Sequence, residues 1–495
     1  MSQIFKIFFV LILYLLMSGC YYFQMPTDKD FACLYDEAKV RTNSDVFLDP
    51  PALDYEENIL NIVHTGLSRN QAVELALSNN KGLLAKLEEL GISKSEYLQA
   101  SLLTNPTFAS VVRYPKIASD CFNNEIEKLS DREAYTDIEV RFQLSDLWLL
   151  PLRQRVAFDD VRITFFDLIS QAIDTMYLAR REYDRVMLNE ARIAVFKELL
   201  DFAREMQGYF NWRLKYAKTV HVHHSPVYNY HANIEFLERK AQHFLYKGNL
   251  QAAYARLKEA LGLYHIDNKR IENSNKLDNI CFELLPIEDL INLAYKYNPD
   301  LQKSRVYIQK YYDLLKYEQA SIFKDVRLGV STEKGIDPLN PLQTGPALDF
   351  EIPFFDYNQA QVSKALYLLE KAKREYIALQ LDIKSKIYDY HSWIKYLIKD
   401  ITLRRNELVP NAIKIRRYAE KYYKTNKVTS EAILQGYVSV RRAKQDYLDH
   451  FELILDYYEG LERIIGKRLD LEFDCFKHSL IENITPDTYK FKGID

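Results

Sequence analysis

Between Gln359 and Leu403 the chain runs without a single proline or glycine. Across this stretch Val362, Ala365, Leu369, Ala372, Tyr376, Leu379, Ile383, Ile387, Tyr390, Ile394, Leu397 and Ile401 recur at steps of three and four, the spacing of a coiled-coil seam. If the helix continues to Lys424 it covers ~65 residues, on the order of 100 Å at the α-helical rise. The first half of the chain has a counterpart from Leu152 to Val220. Each long helix turns back, at His221–Tyr230 and Lys424–Thr429, into a further helix of about 35 residues. A compact globule cannot bury helices of this length. They must pack as antiparallel coiled coils, with each other or with other copies of the chain.

The two long helices belong to a duplication. LSRNQAVELALSNN, from Leu67, matches LPIEDLINLAYKYN, from Leu285: Leu67 with Leu285, Leu75 with Leu293, Ala76 with Ala294, Asn80 with Asn298. The register slips by two residues, and Gln99-Ala100-Ser101 then matches Gln319-Ala320-Ser321. Each half therefore reads short helix, second helix, strand, loop, strand, long helix. The strands fall at 107–114 and 136–145 in the first half and at 327–334 and 347–354 in the second.

These strands are oily on one side and charged on the other. Ile138, Val140 and Phe142 oppose Asp137, Glu139 and Arg141, while Leu348, Phe350 and Ile352 oppose Asp349 and Glu351, since side chains alternate with period two. Each strand has about eight residues, close to a tilted membrane-spanning strand, and apolar-out, polar-in alternation marks an outer-membrane barrel. Four strands cannot close a barrel, and open edges leave backbone groups unpaired in lipid. Three copies would supply about twelve strands and a lumen. Asp137, Glu139, Arg141, Asp349 and Glu351 are then expected to line water, and Ile138, Val140, Phe142, Leu348, Phe350 and Ile352 to face lipid. Trp148 and the Phe354-Phe355 pair suit an aromatic belt at the interface. The competing reading of the strands is a small soluble sheet with one wet face.

Composition narrows the function classes. The balance of 66 basic and 69 acidic side chains, net charge −3, gives no basic footprint for nucleic acid. Only 14 glycines against 37 tyrosines suit long helices better than a loop-rich enzyme. No Ser or Cys nucleophile motif, phosphate-cradling glycine loop or telling carboxylate pair is present, and no cofactor is expected. The N-terminus, MSQIFKIFFVLILYLLMSGC, has Lys6, an apolar run from Ile7 to Met17 and then small residues, and it reads as a secretory signal. Its ending, Leu16-Met17-Ser18-Gly19-Cys20, resembles a bacterial lipobox, which makes Cys20 the expected lipid attachment site. Tyr21 stands where many inner-membrane lipoproteins have Asp, so the resemblance implies the outer membrane. Cys33, Cys121, Cys281 and Cys475 match no zinc spacing and read either as free thiols or as including one disulfide.

The opening from Leu67 to Asn80, the Leu103-Thr104-Asn105-Pro106 run before the first strand and GPALDFEIPFFDYNQAQVSKA (Gly345 to Ala365) resemble the TolC family of outer-membrane efflux proteins. So does the ending from Tyr447 through Tyr457-Tyr458-Glu459-Gly460-Leu461 to Gly466. With Cys20, the likeness is to the lipidated members that serve resistance-nodulation-division pumps. The resemblance implies a fold that is mainly α with a small transmembrane β part: a homotrimer in which four strands per chain complete a twelve-stranded barrel above a long α-helical periplasmic tunnel. The implied partners are other copies of the chain, a periplasmic adaptor, an inner-membrane pump and outer-membrane lipid, with no nucleic acid. The implied function is a passive exit duct driven by the pump. The alternatives are a lipid-anchored periplasmic coiled-coil scaffold without a barrel, or the duct of a type I secretion system.

On this reading residues 1–19 are the signal, 20–66 a lipid-anchored segment, 67–284 and 285–466 the two repeats, and 467–495 a tail near an equatorial region. If Cys281 and Cys475 both lie in that region, the resemblance makes them the pair to test for a disulfide. The adaptor is expected at two tips, Pro226 and Val227 in one and Asn426, Lys427, Val428 and Thr429 in the other. Here the sequence departs from the family pattern, with Asn426 at a usual glycine and Gln435 at a usual acid. Asn tolerates a left-handed backbone, so the turn survives, but an acidic constriction cannot be carried over. The first tip carries His221, His223, His224 and His231. These read as solvated turn histidines, since no second ligand type accompanies them; the alternatives are a soft-metal ring through His221, His223 and His224 and a mildly pH-dependent docking surface.

Overall fold

A computed structural model describes residues 36–37, 39–42, 67–113, 135–216, 226–263, 284–335, 343–424 and 430–469. The first repeat contains α1 (Arg69–Asn79), α2 (Lys81–Ser101), β1 (Thr107–Arg113), β2 (Tyr135–Gln143), α3 (Asp146–Tyr216) and α4 (Pro226–Leu261). The second contains α5 (Ile287–Tyr297), α6 (Pro299–Ala320), β3 (Arg327–Gly335), β4 (Gln343–Asp349), α7 (Gln359–Leu403), α8 (Val409–Lys424) and α9 (Ser430–Ile465). The fold is mainly helical, with one antiparallel sheet of order β1-β2-β3-β4 at one end.

Local chemistry explains why the two repeats begin alike. Ser68 and Gln71 form a reciprocal capping box that starts α1. Asn80 then ends α1 and caps α2, its Oδ1 accepting from the amides of Gly82 (2.9 Å) and Leu83 (3.1 Å). Asn298 does the same between α5 and α6, accepting from Leu301 N–H at 2.7 Å, with Pro299 at the first helical position. Each asparagine also reaches the hairpin beneath it: Asn80 Nδ2 donates to Ala260 O (3.4 Å) and Asn298 Nδ2 to Ile464 O (2.7 Å). Gly262 (φ 69°) and Gly466 (φ 78°) close the ends of α4 and α9 in the left-handed region. A Cβ on Gly466 would lie 2.5 Å from Tyr297 O, and one on Gly262 would lie 2.7 Å from Asn79 O, so neither site admits another residue.

The core is duplicated in the same way. Leu67, Ala72, Leu75 and Ala76 pack with Ala179, Tyr183 and Val186 of α3 and Ala253, Tyr254, Leu257 and Leu261 of α4. In the second repeat Leu290, Ile291, Ala294 and Leu301 pack with Ile383, Ile387 and Ile394 of α7 and Tyr458, Leu461 and Ile465 of α9. A third cluster joins the repeats, placing Leu188 and Val195 of α3 against Leu397, Ile401, Leu448, Phe451, Ile454 and Leu455. Of the seam on α7, Ala365, Leu369, Ala372, Ile383, Ile387, Ile394, Leu397 and Ile401 are buried and Val362, Tyr376, Leu379 and Tyr390 half-buried.

Three expectations are corrected in detail. The long second helix does reach Lys424, but a π-turn at Arg404–Leu408 divides it. Pro410 has no N–H for the carbonyl of Asn406 and its ring crowds that turn, and Val409 N–H reaches back to Arg404 O instead. The first long helix starts at Asp146, six residues before the expected Leu152, with Pro151 inside it. Finally, β4 spans Gln343–Asp349 instead of 347–354. Its last partner is Arg327, and the chain before Arg327 already turns through Ser321–Phe323, so nothing remains for later residues to pair with.

Candidate functional site

The sheet sorts its side chains by the register of its ladders. Phe108, Val140, Val330 and Pro346 lie in one cross-strand row, Ser110, Ile138, Thr332 and Thr344 in the next, and Phe142, Leu328 and Leu348 in a third. These rows share one face. Phe108, Val112, Ile138, Phe142, Leu328, Val330 and Leu348 are all exposed there in the single chain. On the other face Thr107, Arg141, Gly329 and Ala347 form a row, flanked by Ala109, Glu139, Ser331 and Gly345, by Val111, Asp137, Glu333 and Gln343, and by Gln143, Arg327 and Asp349. This face is polar apart from its small residues and Val111.

Arg141 staples the polar face. Its guanidinium contacts Glu139 at 2.5 Å on its own strand and Asp349 at 2.9 Å two strands away. It can cross β3 because residue 329 is glycine: a Cβ there would lie 2.3 Å from Val140 O and 3.0 Å from Arg141 Cγ. The structure thus brings Glu139, Arg141 and Asp349 together, sets Asp137 two residues along the same face, and keeps Ile138, Val140, Phe142 and Leu348 on the opposite one. Glu351, Phe350 and Ile352 are placed differently from the expectation. They follow the end of β4, exposed and outside the ladder. Sequence reading also left out Arg327 and Glu333 on the polar side and Phe108, Leu328 and Val330 on the apolar side, whereas Gln143 stands on the polar face where the alternation after Asp137, Glu139 and Arg141 puts it. The alternation of Leu328, Val330 and Thr332 was the available signal.

Among the described residues nothing covers the apolar face or pairs with the edges β1 and β4, which makes this sheet incomplete in water. Phe354 and Phe355 extend the exposed apolar surface below it, with rings 4.9 Å apart, while Trp148 is half-buried. No described helix is long and apolar enough to cross a membrane.

A second constellation, absent from the sequence reading, lies in the helical body. Arg69 of α1 contacts Asp184 of α3 (2.6 Å) and Glu459 of α9 (2.9 Å), and Arg180 of α3 contacts Glu462 (2.6 Å) and approaches Glu459 (3.8 Å). All but Arg69 are almost fully buried. Two guanidinium groups face three carboxylates. Burial, against the pull of Arg180 and Arg69 and reinforced by Asp184 and Glu462, pushes Glu459 up to about 8. The phenol of Tyr177, next to Arg180, is likewise raised by burial and by Glu462. Below this point Arg192 of α3 holds Asp449 (2.5 Å) and Glu452 (2.7 Å), and Glu198 takes both Arg416 of α8 and Lys444 of α9. Ion pairs therefore run along the line where the first repeat meets the second.

The tip residues are sparsely placed. Pro226 and Val227 open α4. Asn426, Lys427, Val428, Thr429, His221, His223 and His224 lie outside the described residues, as do Cys20, Cys33, Cys121, Cys281 and Cys475. Near the second tip, Gly436 allows α9 to approach α8 so closely that a Cβ would lie 3.0 Å from Arg416 Cα. Among the described residues no group of three or more His, Cys, Asp or Glu is placed to hold a metal.

No protein-family model and no curated relative matches the sequence. Solved structures do. The outer membrane protein VceC of Vibrio cholerae superposes with a TM-score of 0.62 at 14% identity, over 81% of this chain and 96% of that one. The CmeC outer membrane channel of Campylobacter jejuni gives 0.63 at 14%, over 84% and 88%. The open state of the MtrE outer membrane channel of Neisseria gonorrhoeae gives 0.64 at 13%, over 80% and 88%. The chain has the fold of these outer-membrane channels.

Proposed function

We propose that this chain is one protomer of a TolC-type outer-membrane exit duct, a homotrimer that passively carries substrates delivered by an inner-membrane pump through a periplasmic adaptor. The observation that carries the reading is the uncovered four-stranded sheet. Its apolar face asks for lipid, its charged face for water, and its two open edges for neighbouring copies. Three copies bring about twelve strands, inside the range of closed barrels with a lumen. The helices below suit a tunnel: α3 has 71 residues, on the order of 105 Å at the α-helical rise. The likeness to outer-membrane channels supports a conduit over an enzyme.

In this duct Arg141, Glu139 and Asp349 line the water-filled face, with Asp137 beside them, while Ile138, Val140, Phe142 and Leu348 meet lipid. Residues around Pro226–Val227 and Asn426–Thr429 receive the adaptor. Cys20 anchors the chain by a lipid but is not the reason it stays in the membrane. The test compares wild type with Cys20→Ser by fractionation and by subunit count in detergent. Both forms are expected in the outer membrane as trimers. Release of Cys20→Ser as a soluble monomer or dimer would instead establish the lipid-anchored scaffold.

A further inference from the structure

The two repeats complete the same corner by different means. In the first, Asn79 Nδ2 donates to Leu261 O and Gly262 O, both at 3.1 Å, and α4 closes with Leu263 N–H on Lys258 O at 2.9 Å. Tyr297 stands at the position of Asn79, one residue before the matched cap Asn298, and its side chain has no amide to give. The backbone runs alike at both corners all the same: a Cβ on the closing glycine would meet Asn79 O in one and Tyr297 O in the other.

The second corner takes its donor from far away in sequence. Arg41 Nη1 donates to Tyr297 O, 256 residues along the chain, while Nε and Nη2 hold Glu37 Oε1 at 2.8 and 2.5 Å. In return Arg41 O accepts from Arg468 N–H at 2.9 Å, just past Gly466 where α9 has ended. Arg41 and Thr42 are 3% and 0% exposed, although Lys39 and Val40 beside them are open to water. A guanidinium goes this deep only when it is paired. It also lies over the ring of Tyr297, at 5.9 Å from the centroid, on which Lys296 (5.0 Å) and Lys467 (5.2 Å) converge as well.

We propose that residues 36–42 form a strap that completes the corner of the second repeat, with Arg41 supplying the donor that the first repeat draws from Asn79. The N-terminal segment is then a working part of the fold. The corner lies one length of α6 from the sheet, on the order of 33 Å for its 22 residues. The roughly 16 residues from Cys20 to Asp36 reach ~55 Å at most, so a lipid at Cys20, which belongs to the duct reading, and a docked Arg41 can be engaged together. The strap itself is a contact within the chain and is tested apart from the conduit.

Hydrogen exchange of the full-length, detergent-solubilised protein compares the two corners in wild type, Arg41→Ala and Val40→Ala. Arg41→Ala is expected to lose roughly tenfold or more of the protection at residues 295–301 and 464–468, the scale of one charge-assisted hydrogen bond, with residues 79–83 and 259–263 unchanged. Val40→Ala leaves both corners as they are, because that side chain is exposed. Amine cross-linking of the wild type gives a second reading that needs no variant: Lys39 is expected to join Lys296 or Lys467. Full protection of the second corner in Arg41→Ala, loss at both corners together, the same loss in Val40→Ala, or a Lys39 that joins neither lysine overturns the proposal.

Discussion

Glu459 offers a direct test of how the two repeats are held together. Its carboxyl is buried between Arg69, Arg180, Asp184 and Glu462, and is raised from 4.5 to about 8. The unfolded chain releases this proton at the ordinary carboxylate range, whereas the folded chain keeps it until about pH 8. Between these limits the folded state binds more protons, so stability is fully present below the lower value and declines as pH rises toward the upper one. A shift of that size corresponds to on the order of 5 kcal/mol at about 1.4 kcal/mol per unit. Glu459→Gln removes the titration while keeping an oxygen for Arg69. With an unfolding entropy of about 2 cal/mol/K per residue, 5 kcal/mol in a chain this long is a change of about 5 °C in Tm. Thermal unfolding of detergent-solubilised protein at pH 5 and pH 9 provides the readout. Wild type is expected to lose about 5 °C more than the variant on going to pH 9. The same loss in both proteins would show that Glu459 is ionised throughout and that the two arginines suffice to hold it so.

The sheet and the caps give two further expectations. Gly329→Ala drives a Cβ into Val140 O and the Arg141 side chain, so it should cost about 3 kcal/mol or more and deplete assembled protein, read by the oligomer band on unheated gels of outer-membrane fractions. Asn298→Ala removes the bonds to Leu301 N–H and Ile464 O and is expected to destabilise by about 2 kcal/mol, the upper end for a lost cap, in urea unfolding followed by circular dichroism.

Where one local signal repeats with a fixed period, the sequence was legible. The seam on α7 and the alternation of Ile138, Val140 and Phe142 depend only on the geometry of a helix and a strand. The Asn80–Asn298 match pointed to a real equivalence, because both residues cap the same helix pair. Alternation could not fix the end of β4. Leu348, Phe350, Ile352 and Phe354 continue it without interruption, and the ladder stops for want of a partner strand. The π-turn was readable from Pro410 but was hidden by the surrounding apolar spacing, with Val409 and Ala412 both buried. The Arg69–Glu459 contact joins residues 390 positions apart, and no window of sequence contains both.

The open edges of the sheet also bear on inheritance. The edge strands, β1 and β4, differ from each other, so in the ring proposed above one edge of each copy would join the other edge of the next, and every copy would take part in two junctions. If three copies close the duct as proposed, a cell carrying equal amounts of sound and edge-damaged chains would have only about one ring in eight free of the damaged chain. In that ring a lesion at either edge would behave as dominant, whereas a change that keeps the chain from assembling at all would remain recessive.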